Sequence, residues 1–121
     1  MYIMILKQSR KLFAHVDCDS FFASCEIMRN PSWEGKCVCV GRDVIIAANY
    51  HAKRRGVKVG MPNWIAKQFL PPDTIYKYVD FELYGQVSRK IMAYLREQTL
   101  CVEEFSIDEA FCEISGLPEL F

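Results

Sequence analysis

The chain has 121 residues, half of them hydrophobic and a quarter charged, with fifteen basic residues balanced by fifteen acidic ones. That length and composition fit a soluble globular protein with one modest core, or part of a larger one. Zero net charge argues against a segment that is the main grip on DNA, and no stretch approaches the roughly 18–20 apolar residues of a membrane span.

Residues 1–7 are apolar but too short for a secretory signal. The six cysteines, Cys18, Cys25, Cys37, Cys39, Cys101 and Cys112, sit mostly inside apolar runs and form no C-x-x-C pair. They read as buried free thiols of a reducing compartment, so a cytoplasmic protein is expected. Residues 12–17, Leu-Phe-Ala-His-Val-Asp, read as an apolar strand ending in an acid. A helix follows over about Ser20 to Met28, stopped by Asn30-Pro31. Asp19 precedes it and reads as its N-cap; a metal role is the other reading.

Two short strands are expected near Cys37–Val40 and Val44–Ala48, joined by Gly41-Arg42-Asp43. Next comes a short basic helix, Asn49 to Arg55, closed by Gly56. Met61-Pro62 opens another helix, about Asn63 to Phe69, and a strand lies near Ile75–Tyr78. The longest helix spans about Phe81 to Gln98, where Leu83, Val87, Ile91 and Leu95 recur at helical spacing and predict its buried face. No internal repeat or low-complexity linker is present.

The chain is organised around residues 103–114. Phe105 and Ile107 occupy odd positions, whereas Ala110, Cys112 and Ile114 occupy even ones. A strand has period two, so this phase break predicts two strands joined by a tight turn with Asp108 and Glu109 at its tip. One reading is an acidic tip facing water. The other follows from the apolar flanks, which would hold the tip against a core where unpaired like charges cost energy. A divalent cation removes that cost, given a third carboxylate on a neighbouring strand, and Asp17 is the candidate. The layout is α+β, with Asp17 and the acidic pair on adjacent strands of one antiparallel sheet and helices on its other face.

Three segments in order, DCDSFFASCE (17–26), AANYHAKRRGVKVGMP (47–62) and EEFSIDEAF (103–111), resemble the Y-family translesion DNA polymerases of the DinB and UmuC type. The resemblance covers nearly everything from Lys11 to Gly116. NYHAK leans to DinB, FFASCE and SIDEAF a little to UmuC. It implies an incomplete polymerase palm of ferredoxin-like type with an inserted small fingers domain. Residues 1–27 would be the first part of the palm, 28–79 the fingers and 80–121 the second part of the palm. The rest of the palm, a thumb and a little finger would be absent.

The activity so implied is two-metal transfer of a dNTP onto a primer 3′-hydroxyl during DNA damage bypass, with two Mg²⁺ ions, Mn²⁺ able to substitute. By the resemblance Asp17, Asp108 and Glu109 are catalytic and bind metal, and Cys18 lends its main-chain carbonyl. Phe21 and Phe22 are nucleotide-binding positions, with Phe22 the steric gate under the sugar; without the resemblance both read as core. Ile46 roofs the templating base pair. Tyr50 and Lys53 meet the triphosphate, Lys53 where arginine is commoner, and Ala47 replaces a hydroxyl residue. A basic run on a solvated face is the plain alternative for 53–55. Implied partners are primer-template DNA and dNTP, with a sliding clamp reached through absent C-terminal regions. The fragment alone is expected to be inactive and to self-associate through apolar surface around Phe111 and Ile114 and an unpaired strand edge. The competing functions are a non-catalytic polymerase-like accessory protein and another palm-type enzyme such as a nucleotide cyclase.

Overall fold

The computed structural model describes residues 2–8 and 11–115. In chain order the elements are β1 (Tyr2–Gln8), β2 (Lys11–Asp17), α1 (Phe21–Arg29), a 3₁₀ turn (Pro31–Trp33), β3 (Val38–Val40), β4 (Ala47–Ala48), α2 (Tyr50–Arg54), α3 (Asn63–Ala66), β5 (Ile75–Lys77), α4 (Phe81–Gln98), β6 (Cys101–Ser106) and β7 (Glu109–Glu113). They form two compact units: Met1–Asp19 with Tyr84–Phe121, and Ser20–Leu83. The mixture of sheets and helices is the expected α+β class.

The first unit is one antiparallel sheet in the order β1-β2-β7-β6. Alternation divides its faces. Ala14 and Val16 of β2 pack with Ala110 and Cys112 of β7, with Ile114 and with Met92 of α4; Leu12, Leu95 and Val102 flank this core. The expected turn between β6 and β7 lies one residue earlier, at Ile107–Asp108, so that Asp108 is in the turn while Glu109 is the first residue of β7 rather than at the tip. A bulge between Glu104 and Ser106 shifts the register beside it, which re-aims the strand just before the acids.

Two expectations need correction here. The buried line of α4 is Tyr84, Ser88 and Met92, not Leu83, Val87, Ile91 and Leu95, which lie half-buried one residue round the helix. The apolar line is thus the flank of the buried face rather than its centre, and Leu95 packs on the core. Tyr84 buries a large ring, and the Ser88 hydroxyl is neutralised by donating to the Ile107 carbonyl at the acidic turn. The other correction concerns exposed apolar surface. Ile114 is buried and Phe111 is half-buried. The exposed apolar side chains of this sheet lie instead on Phe105 and along β1, at Tyr2, Ile3, Met4, Ile5 and Leu6.

In the second unit β3 is the central strand, antiparallel to β4 and parallel to β5. Helix α1, which the expected domain limits group with the first strand, packs against β3 and β4. The residue at its N-cap position is Ser20, in the left-handed region at φ 46°, and the Ser20 side chain makes no capping bond. The 44–48 segment is a two-residue ladder at Ala47–Ala48 plus an isolated bridge from Val44 to Pro62. The turn ahead of it requires Gly41: φ is 134°, and a Cβ there would lie 2.0 Å from the Val44 carbonyl oxygen. Helix α3 is shorter than its sequence pattern. Beyond Lys67, bonds from Gln68 N–H to Ile65 and from Phe69 N–H to Ala66 tighten the chain out of α geometry.

Asn49 joins α2 to β3. Its buried Oδ1 accepts from Ala52 N–H at 3.1 Å, which caps the helix, and from Val38 N–H at 3.0 Å. Its Nδ2 donates to the Lys36 carbonyl at 2.7 Å. Helix α2 ends at Gly56, φ 103°, as its sequence predicts. Around these lie Cys37, Cys39, Ile45, Ala48, Ala52, Val57 and Ala66. Cys25, Cys37, Cys39 and Cys112 are buried as expected, and burial pushes the Cys39 thiol up to about 11; Cys101, by contrast, is exposed. Among the described residues no helix is long and apolar enough to cross a membrane.

Replacing Asn49 strands the buried Val38 N–H, takes a partner from the Lys36 carbonyl and removes a helix cap. Asn49→Ala should lower the unfolding free energy by about 2–4 kcal/mol, read as a lowered urea midpoint. A loss under about 0.5 kcal/mol would mean these bonds do not hold α2.

Candidate functional site

Four of the expected site residues come together at one end of the first unit's sheet. Asp17 closes β2 and Glu109 opens β7, and the two are register partners. Cys18 N–H donates to the Asp108 carbonyl at 3.0 Å, which extends the ladder one step and pins the acidic turn to the end of β2. From above, Ser88 of α4 holds the preceding carbonyl, that of Ile107. Strand parity places Asp17 and Glu109 on the face opposite Ala14, Val16 and Ala110, and so opposite α4.

On that open face Asp17, Asp108 and Glu109 are neighbours of like charge. Partial burial first, then Asp108 and Glu109, raise the Asp17 carboxyl above its ordinary value, while His15 pulls it down. Two groups that sequence reasoning missed moderate the charge. The Ser106 hydroxyl lies 3.0 Å from Asp108 Oδ1 and 2.9 Å from Glu109 Oε2. A hydroxyl has one proton to donate, so it satisfies one carboxylate at a time. His15 Nε2 lies 3.2 Å from Glu109 Oε1, and its ring stacks on Phe111 at 4.6 Å, 13° from parallel. The signal for His15 was its place two residues before Asp17, on the same face of a strand.

The donor set is chemically suited to a hard divalent cation: three carboxylates and a nearby main-chain carbonyl, all oxygen. Among the described residues no three His, Cys, Asp or Glu side chains converge to hold an ion as they stand. Glu109 is turned toward His15 and Ser106, and both contacts would have to yield to a metal.

The remaining expected residues belong to the second unit. Phe21 is buried. Phe22, one step further round α1, is only partly buried and meets Phe81 edge-on at 5.8 Å. Ile46 is 45% and Tyr50 65% exposed. Tyr50 is the first residue of α2 and Arg54, one turn on, lies over its ring at 5.6 Å. Lys53 Nζ donates to Ser20 Oγ at 2.9 Å. Asn49, whose bonds set this helix, is the positioning residue missed here; an Asn just before a helical run is the signature of an N-cap.

A sheet with carboxylates at the end of its central strands, interrupted by an inserted unit with exposed aromatic and basic side chains, is the fold of the Y-family polymerase palm and fingers that its structural neighbours share. The chain belongs to the impB/mucB/samB family, whose model matches residues 16–121. It is 39% identical over 115 residues to a DNA polymerase IV of Alkalilimnicola ehrlichii, covering 91% of this chain and 32% of that protein. A DNA polymerase IV of Methanoculleus marisnigri is 42% identical over 114 residues, with 87% and 31% covered. Among solved structures, DinB from Sulfolobus solfataricus superposes with a TM-score of 0.80 at 35% identity, over 88% of this chain and 33% of that one. A Dbh ternary complex gives 0.82 at 36% identity over 88% and 32%. The chain thus spans about a third of the length of the relatives it matches.

The raised Asp17 carboxyl sets a sign. The folded chain holds that proton to higher pH than the unfolded one, so the stability it brings is full in acid and is lost as pH rises through the folded value. Without divalent cations, Asp17→Asn should therefore raise the melting temperature at pH 7. The gain should vanish below the ordinary carboxylate pKa of about 3.9. Melting curves from pH 3 to 8 check this; a variant less stable than the parent at pH 7 contradicts it.

Proposed function

We propose that this chain is the carboxylate-bearing part of a DNA-directed DNA polymerase that adds dNTPs to a primer 3′-hydroxyl across damaged template. The observation that carries the reading is the set Asp17, Asp108 and Glu109 on the open face of one sheet end, held by the Cys18–Asp108 backbone bond. Family membership and the polymerase relatives support it.

The groups to be held are two Mg²⁺ ions, for which Mn²⁺ can substitute. When bound they supply activation of the primer hydroxyl and charge neutralisation at the triphosphate. Asp17 and Asp108 would serve both ions, Glu109 would serve the one nearer the primer, and the Cys18 carbonyl would be a fourth oxygen. His15 takes part of the Glu109 charge, which keeps that carboxylate oriented while no cation is present. The side chains of the second unit then sort by chemistry. Phe22 presents a ring edge that leaves no room for a 2′-hydroxyl. Ile46 offers an exposed aliphatic surface suited to a base pair. Tyr50 and Lys53 are a hydroxyl and a cation for phosphate oxygens. Lys53 must leave Ser20 to serve, and being a lysine it then contributes a point charge rather than a fork. The primer-template and dNTP are the partners of the whole enzyme, a sliding clamp is its expected processivity partner, and the cytoplasm its expected location.

Two experiments test this. Mn²⁺ added to the isotope-labelled chain should broaden resonances around Asp17, Asp108 and Glu109. Asp108→Asn should weaken that binding by more than the ~10–100-fold that loss of an outer-shell partner costs. Broadening centred elsewhere would reject the metal site. In a polymerase of the relatives' full length carrying these residues, Phe22→Ala should admit ribonucleotides while dNTP incorporation persists. An unchanged preference for dNTPs would return Phe22 to the core.

A further inference from the structure

Strand β1 has no counterpart in the sequence pattern, yet it occupies a defined place in the topology. From β2 onward the first unit runs strand, helix, strand, strand: β2, α4, β6, β7, with the second unit inserted after β2. These are the first four elements of the β-α-β-β-α-β pattern. Its two β-α-β halves are alike, and each leaves room for one strand of the other. The first half ends with β6 set one strand away from β2, and β7 fills the gap. The second half starts at β7. Its last strand must by the same rule lie one strand away from β7, with β2 in the gap. That position is the outer edge of β2. The strand would run parallel to β7 and so antiparallel to β2.

Residues 2–8 hold that edge. They pair antiparallel with β2 in unbroken register from Tyr2↔Asp17 to Gln8↔Lys11. Their side chains do not match it. Ile3 and Ile5 face the same side as their partners Val16 and Ala14, the side that carries α4. Those partners are 4% and 7% exposed, whereas Ile3 and Ile5 are 54% and 50% exposed. In the complete pattern the second helix would cover this half of the face.

We propose that the outer edge of β2 is an exchangeable strand-docking site. Residues 2–8 hold it within this chain. The partner it fits is an antiparallel strand brought in with an amphipathic helix, the pair that completes the pattern, supplied from outside residues 2–115. The two strands exclude each other, because each outward N–H and C=O of β2 has one place in a ladder. Exchange favours the incoming pair, whose helix covers the face that leaves Ile3 and Ile5 half in water. The exchange takes place beside the first carboxylate, since Tyr2 is the partner of Asp17. The inference rests on topology and burial and stands apart from the polymerase reading.

Amide hydrogen exchange on two proteins tests it. In the chain itself, the β2 amides directed at β1 should be protected comparably with those directed at β7. The variant Ile3→Pro/Ile5→Pro should lose that protection by at least ~10-fold while the β7-directed amides keep theirs. In a fusion of residues 1–115 to the part of the Alkalilimnicola ehrlichii polymerase that lies beyond its matched region, residues 2–8 should become unprotected and open to protease. The outward β2 amides should stay protected there. Unprotected outward amides in the parent chain would overturn the proposal without any need for the fusion to fold. So would a folded fusion, judged by cooperative melting, in which residues 2–8 remain protected. Neither result depends on nucleotide transfer.

Discussion

The arrangement of the first unit depends on holding three carboxylates together without neutralising them inside the protein. A chain free to relax would separate Asp17 from Asp108 and Glu109. It is prevented by backbone bonds that are indifferent to side-chain charge: the β2–β7 ladder, and the Cys18 amide on the Asp108 carbonyl. Partial burial first, and that repulsion after it, raise the Asp17 carboxyl above its ordinary value. The protein supplies partial relief through one hydroxyl proton at Ser106 and one ring at His15. That relief falls short of the three negative charges gathered there. A water-facing tip needs no ladder running into it, and no serine from a buried helix line gripping its backbone.

The second unit solves the reverse problem. Its exposed side chains must be presented on a backbone that does not move with them. Asn49 does this from a buried position, binding one strand N–H, one loop carbonyl and one helix N–H with a single amide. Helix α2 is five residues long and would not persist alone. Its first residue, Tyr50, is therefore placed by Asn49 and by the buried Ala52 rather than by helix propensity.

Much of this was legible in the chain because the relevant signals are local. Period-two counting found the phase break to within one residue, the turn being at Ile107–Asp108, and α4 begins and ends where its pattern predicts, Phe81 to Gln98. Asp17 was legible as an acid closing an apolar run. What was not legible depends on partners distant in sequence. Strand β1 has apolar residues on both faces and so no period to read. The face of α4 is set by Tyr84 and Ser88, polar atoms whose burial requires partners that no window of the helix contains. The left-handed conformation of Ser20 ahead of α1 was not legible either, since serine has no local preference for it.

Net charge illustrates the same difference between sum and arrangement. The total is zero, but Ser20–Leu83 holds nine basic residues against six acidic, and the remainder holds six against nine. Neutrality is consequently not the absence of a field. The unit with the carboxylates is itself acidic, which favours cations and opposes polyphosphate. The unit with Tyr50 and Lys53 is basic, which favours polyphosphate and opposes free cations. A chain with the opposite allocation, basic around Asp17 and acidic around Lys53, would have the same composition and fold class. It would neutralise its own carboxylates with lysine, leaving no electrostatic deficit for a cation to fill.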